Sequence, residues 1–176
     1  MPERGNFWSS ERHESFLSNG RVVTKVNKVK SKQRLLIENL LIAHTLNDME
    51  SRKHIAAEKK RCTSHNCAQA ILHTYADIAG ISEDEAMNIA GAFGGGMGNM
   101  EGTCGALVGS GLVLGLVNKD KVKSMKQMRQ IMTKFQERNG ATQCKLLKGV
   151  GTKVVLRECP DCVADAAEFL EEQLKG

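Results

Sequence analysis

Apolar residues first take on a regular spacing at Leu35, Leu36, Leu40, Leu41 and, less regularly, Leu46. That spacing predicts an amphipathic helix. Residues 1–30 are polar and irregular before it. The short Val22-Val23-Thr24-Lys25-Val26 run has the residues of a strand but no obvious partner. Residues 1–48 therefore read as an irregular, partly disordered N-terminal extension with one amphipathic helix, and residues 49–176 as the helical domain. Met49 would serve equally well as a start residue.

From about Glu50 to Lys60 a polar helix is predicted. Thr63 and Ser64 are placed to cap the next, whose apolar stripe is Ala68, Ile71, Leu72, Tyr75 and Ile78 and whose stop is Gly80. Ser82-Glu83-Asp84-Glu85 has the form of a capping box and opens a helix expected to run to about Ala92. Phe93-Gly94-Gly95-Gly96-Met97-Gly98 is too rich in glycine to continue it. Thr103 then caps an apolar helix through Val117. Asp120 opens another carrying Met125, Met128, Met132 and Phe135, ended by Gly140. Thr142 caps a short turn through Lys148, and Gly149 and Gly151 break the chain. Cys159 falls at a cap with Pro160 behind it, and Val163, Ala166, Ala167, Leu170 and Leu174 share one face of the last helix. The pattern is that of an all-α protein, a compact helical bundle behind the extension.

Composition sharpens this. Aromatic residues are only 4%, so the core must come from Leu, Ile, Val, Met and Ala, which favours helices over strands. The formal charge of +5 hints at nucleic acid until it is divided. Residues 1–60 hold 12 Lys/Arg against 7 Asp/Glu, and residues 61–176 hold 13 of each. The main body is balanced and lacks a basic groove with stacking aromatics, so no nucleic acid is expected. The Lys25 to Lys32 run reads as a solvated tail. No membrane span is expected either, because the only possible segment, Gly105 to Val117, has 13 residues without charge, short of the roughly 20 needed. That apolar helix could instead meet a second copy in a homodimer. No stretch has the form of a signal peptide, which points to the cytoplasm, a reducing compartment. There, six cysteines are expected to bind metal, react or sense redox state rather than form a disulfide framework.

Four cysteines share a feature. Cys67 falls in the first turn of its helix, Cys104 and Cys144 just after predicted caps, and Cys159 at a cap. Helix N-termini carry free N–H groups and partial positive charge, which favour thiolate over thiol. A redox-active cysteine and an iron–sulfur ligand both need that. The plainer alternative is that free cysteines pack as small hydrophobes.

The runs Asn66-Cys67-Ala68-Gln69-Ala70, Phe93 to Gly98, Thr103-Cys104-Gly105-Ala106-Leu107-Val108-Gly109, then Cys144 and Cys159-Pro160 follow one recognisable pattern. The chain resembles the redox-active protein family named for its cysteines, C_GCAxxG_C_C, over about residues 55–176. That resemblance implies one redox site gathering Cys67, Cys104, Cys144 and Cys159, which would bind an iron–sulfur cluster or other thiophilic metal and pass electrons to an unknown redox partner. The family also looks related to a dihaem cytochrome, the split-Soret cytochrome c, which is said to carry an additional iron–sulfur site. Covalent c-type haem needs C-x-x-C-H. Val163 stands where that histidine would be, so such haem is excluded and a cluster stays open.

Two cysteines go beyond the pattern. Cys162 makes Cys159-Pro160-Asp161-Cys162, a C-x-x-C at a helix start, and Cys62 is the other. The C-x-x-C suits a dithiol–disulfide pair or two ligands of one metal. A thiol–disulfide oxidoreductase using Cys159 with Cys162, or Cys104 with a neighbour, is thus a second function class. A helical scaffold with structural cysteines is a third. The glycine loop lacks the P-loop and G-x-G-x-x-G patterns. Gly96, Gly98 and Gly105 are instead expected to let backbone approach closely, bringing Cys104 beside a neighbouring helix or a bound cofactor. Met97 and Met100 read as packing atoms rather than soft ligands, and His65 as a surface residue near the cap.

Overall fold

A computed structural model describes residues 51–176. The expected extension helix and the Val22–Val26 run lie outside the described residues. Among the described residues the chain is all-helical, with eight α-helices: α1 (Lys53–Cys62), α2 (Cys67–Thr74), α3 (Ala76–Ala79), α4 (Glu83–Ile89), α5 (Gly105–Asn118), α6 (Lys121–Asn139), α7 (Cys144–Leu147) and α8 (Cys159–Lys175). A 3-10 turn, Gly91–Phe93, follows α4.

Capping chemistry sets several of these boundaries as the sequence predicts. Ser82 and Glu85 form the reciprocal capping box that starts α4. Asp120 accepts from the Lys123 amide to start α6, and Gly140 ends it in the left-handed region at φ 77°. Other boundaries move. The α2 cap is Asn66 rather than Thr63 or Ser64, because Gln69 completes a capping box with Asn66. The Asn66 amide is also held by the carbonyls of Ala90 and Gly91 at 3.2 and 2.9 Å. Thr63 serves the end of α1 instead, donating to the Lys59 carbonyl. The helix expected to run on to Ile78 breaks at Tyr75. Tyr75 is fully buried, and its hydroxyl donates to Glu171 at 2.7 Å. The α4 helix stops at Ile89, short of Ala92.

Helix α1 packs along α8, α2 lies on α5, and α6 closes over both α5 and α8. The core is aliphatic, from Ile71, Leu72, Leu107, Leu114, Ile131 and Leu170, with Phe135 and Tyr75 as its large rings. Glycine makes the α2–α5 approach possible. A Cβ on Gly109 would stand 2.8 Å from the Ala68 carbonyl oxygen, and one on Gly105 would stand 2.5 Å from that of Phe93. Met128 and Met132 pack against the core, whereas Met125 is exposed.

Buried carboxylates fasten α8. Glu171 accepts from the Arg52 amide at 2.6 Å as well as from Tyr75. Asp165 takes Arg138 at 3.0 Å and Arg157 at 2.9 Å. Arg138 also lies over the Phe169 ring, 4.3 Å from its centroid. These contacts fix where α8 begins, and so where its first cysteines stand. No described helix is long and apolar enough to cross a membrane. Helix α5, the most apolar, is covered by α2, α6 and α8 of its own chain.

Candidate functional site: a five-cysteine centre

Each cysteine of the pattern enters the site at or beside a helix start. Cys67 is the first residue of α2, Cys144 of α7 and Cys159 of α8, while Cys104 itself occupies the N-cap of α5. The expected caps shift by one residue. Thr103 is taken up in an isolated antiparallel bridge with Gln143, and Glu158 rather than Cys159 caps α8, so Cys159 stands inside the first turn with Pro160.

That bridge joins two of the cysteines through backbone alone. The Cys104 amide donates to Thr142 at 2.8 Å and the Cys144 amide to Gly102 at 3.0 Å. The glycine loop packs beneath them. Gly96 is buried with φ at 58°, and a Cβ there would meet the Cβ of Cys144 at 2.6 Å. A Cβ on Gly105 would meet that of Cys67 at 3.2 Å. Gly98 also has a positive φ but faces open space, so it turns the loop without touching a cysteine.

The sulfurs meet in two pairs. Cys67 lies beside Cys159 and Cys162 beside Cys104, while the Cys162 thiol donates to the Arg157 carbonyl at 3.8 Å. Spacing of three residues puts the two members of the C-x-x-C on one face of α8, about 60° apart, and they nonetheless lie beside different partners on different helices. Cys144 lies within electrostatic reach of Cys104 and Cys159. All five are free; Cys67, Cys104, Cys144 and Cys162 are buried, and Cys159 is half-buried.

Electrostatics separate the members of each pair. The Cys67 contact, opposed by burial and helped by Lys148 and Lys60, brings Cys159 down to about 6. Cys104 is also lowered, first by the Cys162 thiol and then by the first-turn amides of Ala106 and Leu107. Their neighbours shift the opposite way. Cys67 and Cys162 are pushed well up, first by the neighbouring sulfur of Cys159 or Cys104 and then by burial. Burial and the nearby sulfurs raise Cys144.

Lys148 is the functional residue the sequence reading missed. Its ammonium contacts the Cys159 sulfur and is itself raised by that charge. The signal was present: Lys148 stands four residues after Cys144, one helical turn away. Cys62 lies apart, exposed, donating to Glu58 at 3.0 Å. His65 is half-buried against the His73 ring, with centroids 4.9 Å apart.

As a donor set, four or five sulfurs with two ammonium groups fit a soft, thiophilic metal or an iron–sulfur cluster. In the paired arrangement, no group of three or more potential ligands among the described residues closes around a common point. Binding would draw the sulfurs out of their pairs.

The fold and the site define the chain as an all-helical protein with cysteines at or beside separate helix starts. More particularly, residues 65–173, over half the chain, match the family described as "Putative redox-active protein (C_GCAxxG_C_C)", and the chain belongs to that family. No curated protein and no solved structure matches it significantly.

Proposed function

We propose that the chain is an electron-transfer protein whose Cys67, Cys104, Cys144 and Cys159 hold an iron–sulfur cluster or other thiophilic metal. The placement of all four pattern cysteines at or beside helix starts supports this reading, because thiol–disulfide chemistry needs only two. A bound cluster would supply a reversible one-electron couple in a dry setting. The chain's own residues prepare for it. The lowered Cys104 and Cys159 favour the thiolate form that ligation requires. Lys148 and Lys60 offset their charge, and Gly96 and Gly105 leave room for close approach. The cytoplasm, where free thiols persist, suits such a centre.

The two sulfur contacts favour a second reading, thiol–disulfide exchange. The Cys159 thiolate would attack a substrate disulfide, breaking its S–S bond and releasing one substrate thiolate. Cys67, after losing its proton, would then displace the second substrate thiolate and leave a Cys67–Cys159 disulfide. The substrate gains the two electrons that the cysteine pair loses.

Two variants separate the readings. In anaerobically purified protein, Cys144→Ser should abolish bound iron and acid-labile sulfide while Cys162→Ser retains them. Wild-type iron and sulfide in Cys144→Ser would sink the cluster reading. Under the thiol–disulfide reading, metal-free wild type would titrate as two dithiols, and Cys162→Ser would remove one.

A further inference from the structure

Residues 145–157 run from α7 to the start of α8 and contain four Lys/Arg and no carboxylate. Backbone hydrogen bonds fold this stretch back on itself: Lys153 to Gly149 at 2.7 Å, Leu156 to Leu147 at 2.9 Å and Val150 to Lys145 at 2.9 Å. The fold holds five aliphatic side chains outward, Leu146, Val150, Val154, Val155 and Leu156, each 41–61% exposed. In a balanced, well-packed domain, so many in one short segment form an unpartnered patch.

Charge surrounds the patch. Lys145 is taken by Glu101 and Arg157 by Asp165, but Lys148 and Lys153 make no ion pair among the described residues. Lys148 contacts Cys159, the one sulfur of the centre that is not fully buried. The patch therefore borders the point where the centre comes closest to solvent.

We propose that this segment is the docking surface for a small acidic electron-carrier protein. The inference rests on the redox reading above and names the partner it implies. Electron transfer needs short distance and quick release, which small interfaces with an apolar middle and a charged rim provide. Lys153, without an ion pair among the described residues, and the exposed Lys148 beside Cys159 select a negatively charged partner and steer it to the Cys159 edge. The backbone hydrogen bonds already order the loop, so docking spends little entropy on it. An anionic membrane would also accept lysines and aliphatic side chains. The position of the patch beside the centre's one surface-reaching sulfur favours a protein that exchanges electrons.

Calorimetric titration of the full chain tests this, with a purified acidic plant-type ferredoxin as probe. A basic cytochrome c and phosphatidylglycerol vesicles serve as counter-probes. Ferredoxin should bind at low salt and weaken as salt rises, and cytochrome c should not bind. Lys153→Glu and Val154→Asp should each weaken ferredoxin binding roughly tenfold. Val154→Ser, which changes no charge, should weaken it by a smaller but measurable factor. Reduction by dithionite, which needs no docking, should be unchanged in all three variants. Ferredoxin affinity no better than that of cytochrome c, indifference to both Val154 substitutions, or a preference for vesicles would overturn the proposal. A chain that dithionite cannot reduce but ferredoxin still binds would sink the redox reading and leave the surface standing.

Discussion

Helix α8 carries two kinds of buried polar group, and they are arranged in opposite ways. Further along the helix, Asp165 and Glu171 are buried, and each is met by donors: two arginines at Asp165, a tyrosine hydroxyl and a backbone amide at Glu171. Those groups gain what they lost from water, and their business is fastening the helix. At the N-terminal end, Cys159 and Cys162 lie beside other sulfurs, which lower Cys159 and raise Cys162. Like groups crowded together in a dry place do little for stability. The contrast separates a region that fastens the helix from one whose sulfurs are perturbed by one another.

The comparison can be broken from either side. The largest effect expected is on the scaffold side. Asp165→Ala leaves Arg138 with Glu168 and Arg157 with the more distant Asp161 and should cost about 1–3 kcal/mol in urea unfolding. An unchanged midpoint would show that the arginines find other partners without loss.

A smaller effect is expected at the centre, and it should be visible in pH dependence. In reduced, metal-free protein Cys159 is lowered to about 6 against an ordinary thiol near 9. A depressed folded-state value adds stability that is complete above the unfolded value and is lost as pH falls through about 6. Stability should therefore rise between about pH 6 and 9. The raised Cys67 works the other way and should turn the curve down at higher pH. Lys148→Gln removes one of the two cations and should move the alkylation midpoint of Cys159 upward and flatten that rise. An alkylation profile identical to wild type would mean that Lys148 does not act on the sulfur. Smallest of all, Cys62→Ser should leave stability within about 0.5 kcal/mol of wild type, since Cys62 is exposed and outside the centre.

Much of this was legible in the chain itself. Local signals are strong where one residue type satisfies a backbone need, so the Ser82–Glu85 box, the Asp120 cap and the Gly140 stop read correctly. The apolar stripe of α8 did too, because its spacing is a property of the helix alone. The readings that slipped were those decided by distant residues. Asn66 outcompetes Thr63 because the carbonyls of Ala90 and Gly91 hold it, and Tyr75 breaks its helix where its ring is buried and its hydroxyl reaches Glu171.

The same division runs through the centre. The sequence by itself determined the all-helical class, the four pattern cysteines and their placement near helix starts, because spacing and capping are local physics. Only the tertiary structure decided which sulfur meets which. Cys162 lies three residues from Cys159 but touches Cys104, 58 positions away, and Lys148 reaches Cys159 across a folded loop. Those contacts depend on how α2, α5, α7 and α8 pack, and packing energies are non-directional and shared over many residues, so no short motif records them.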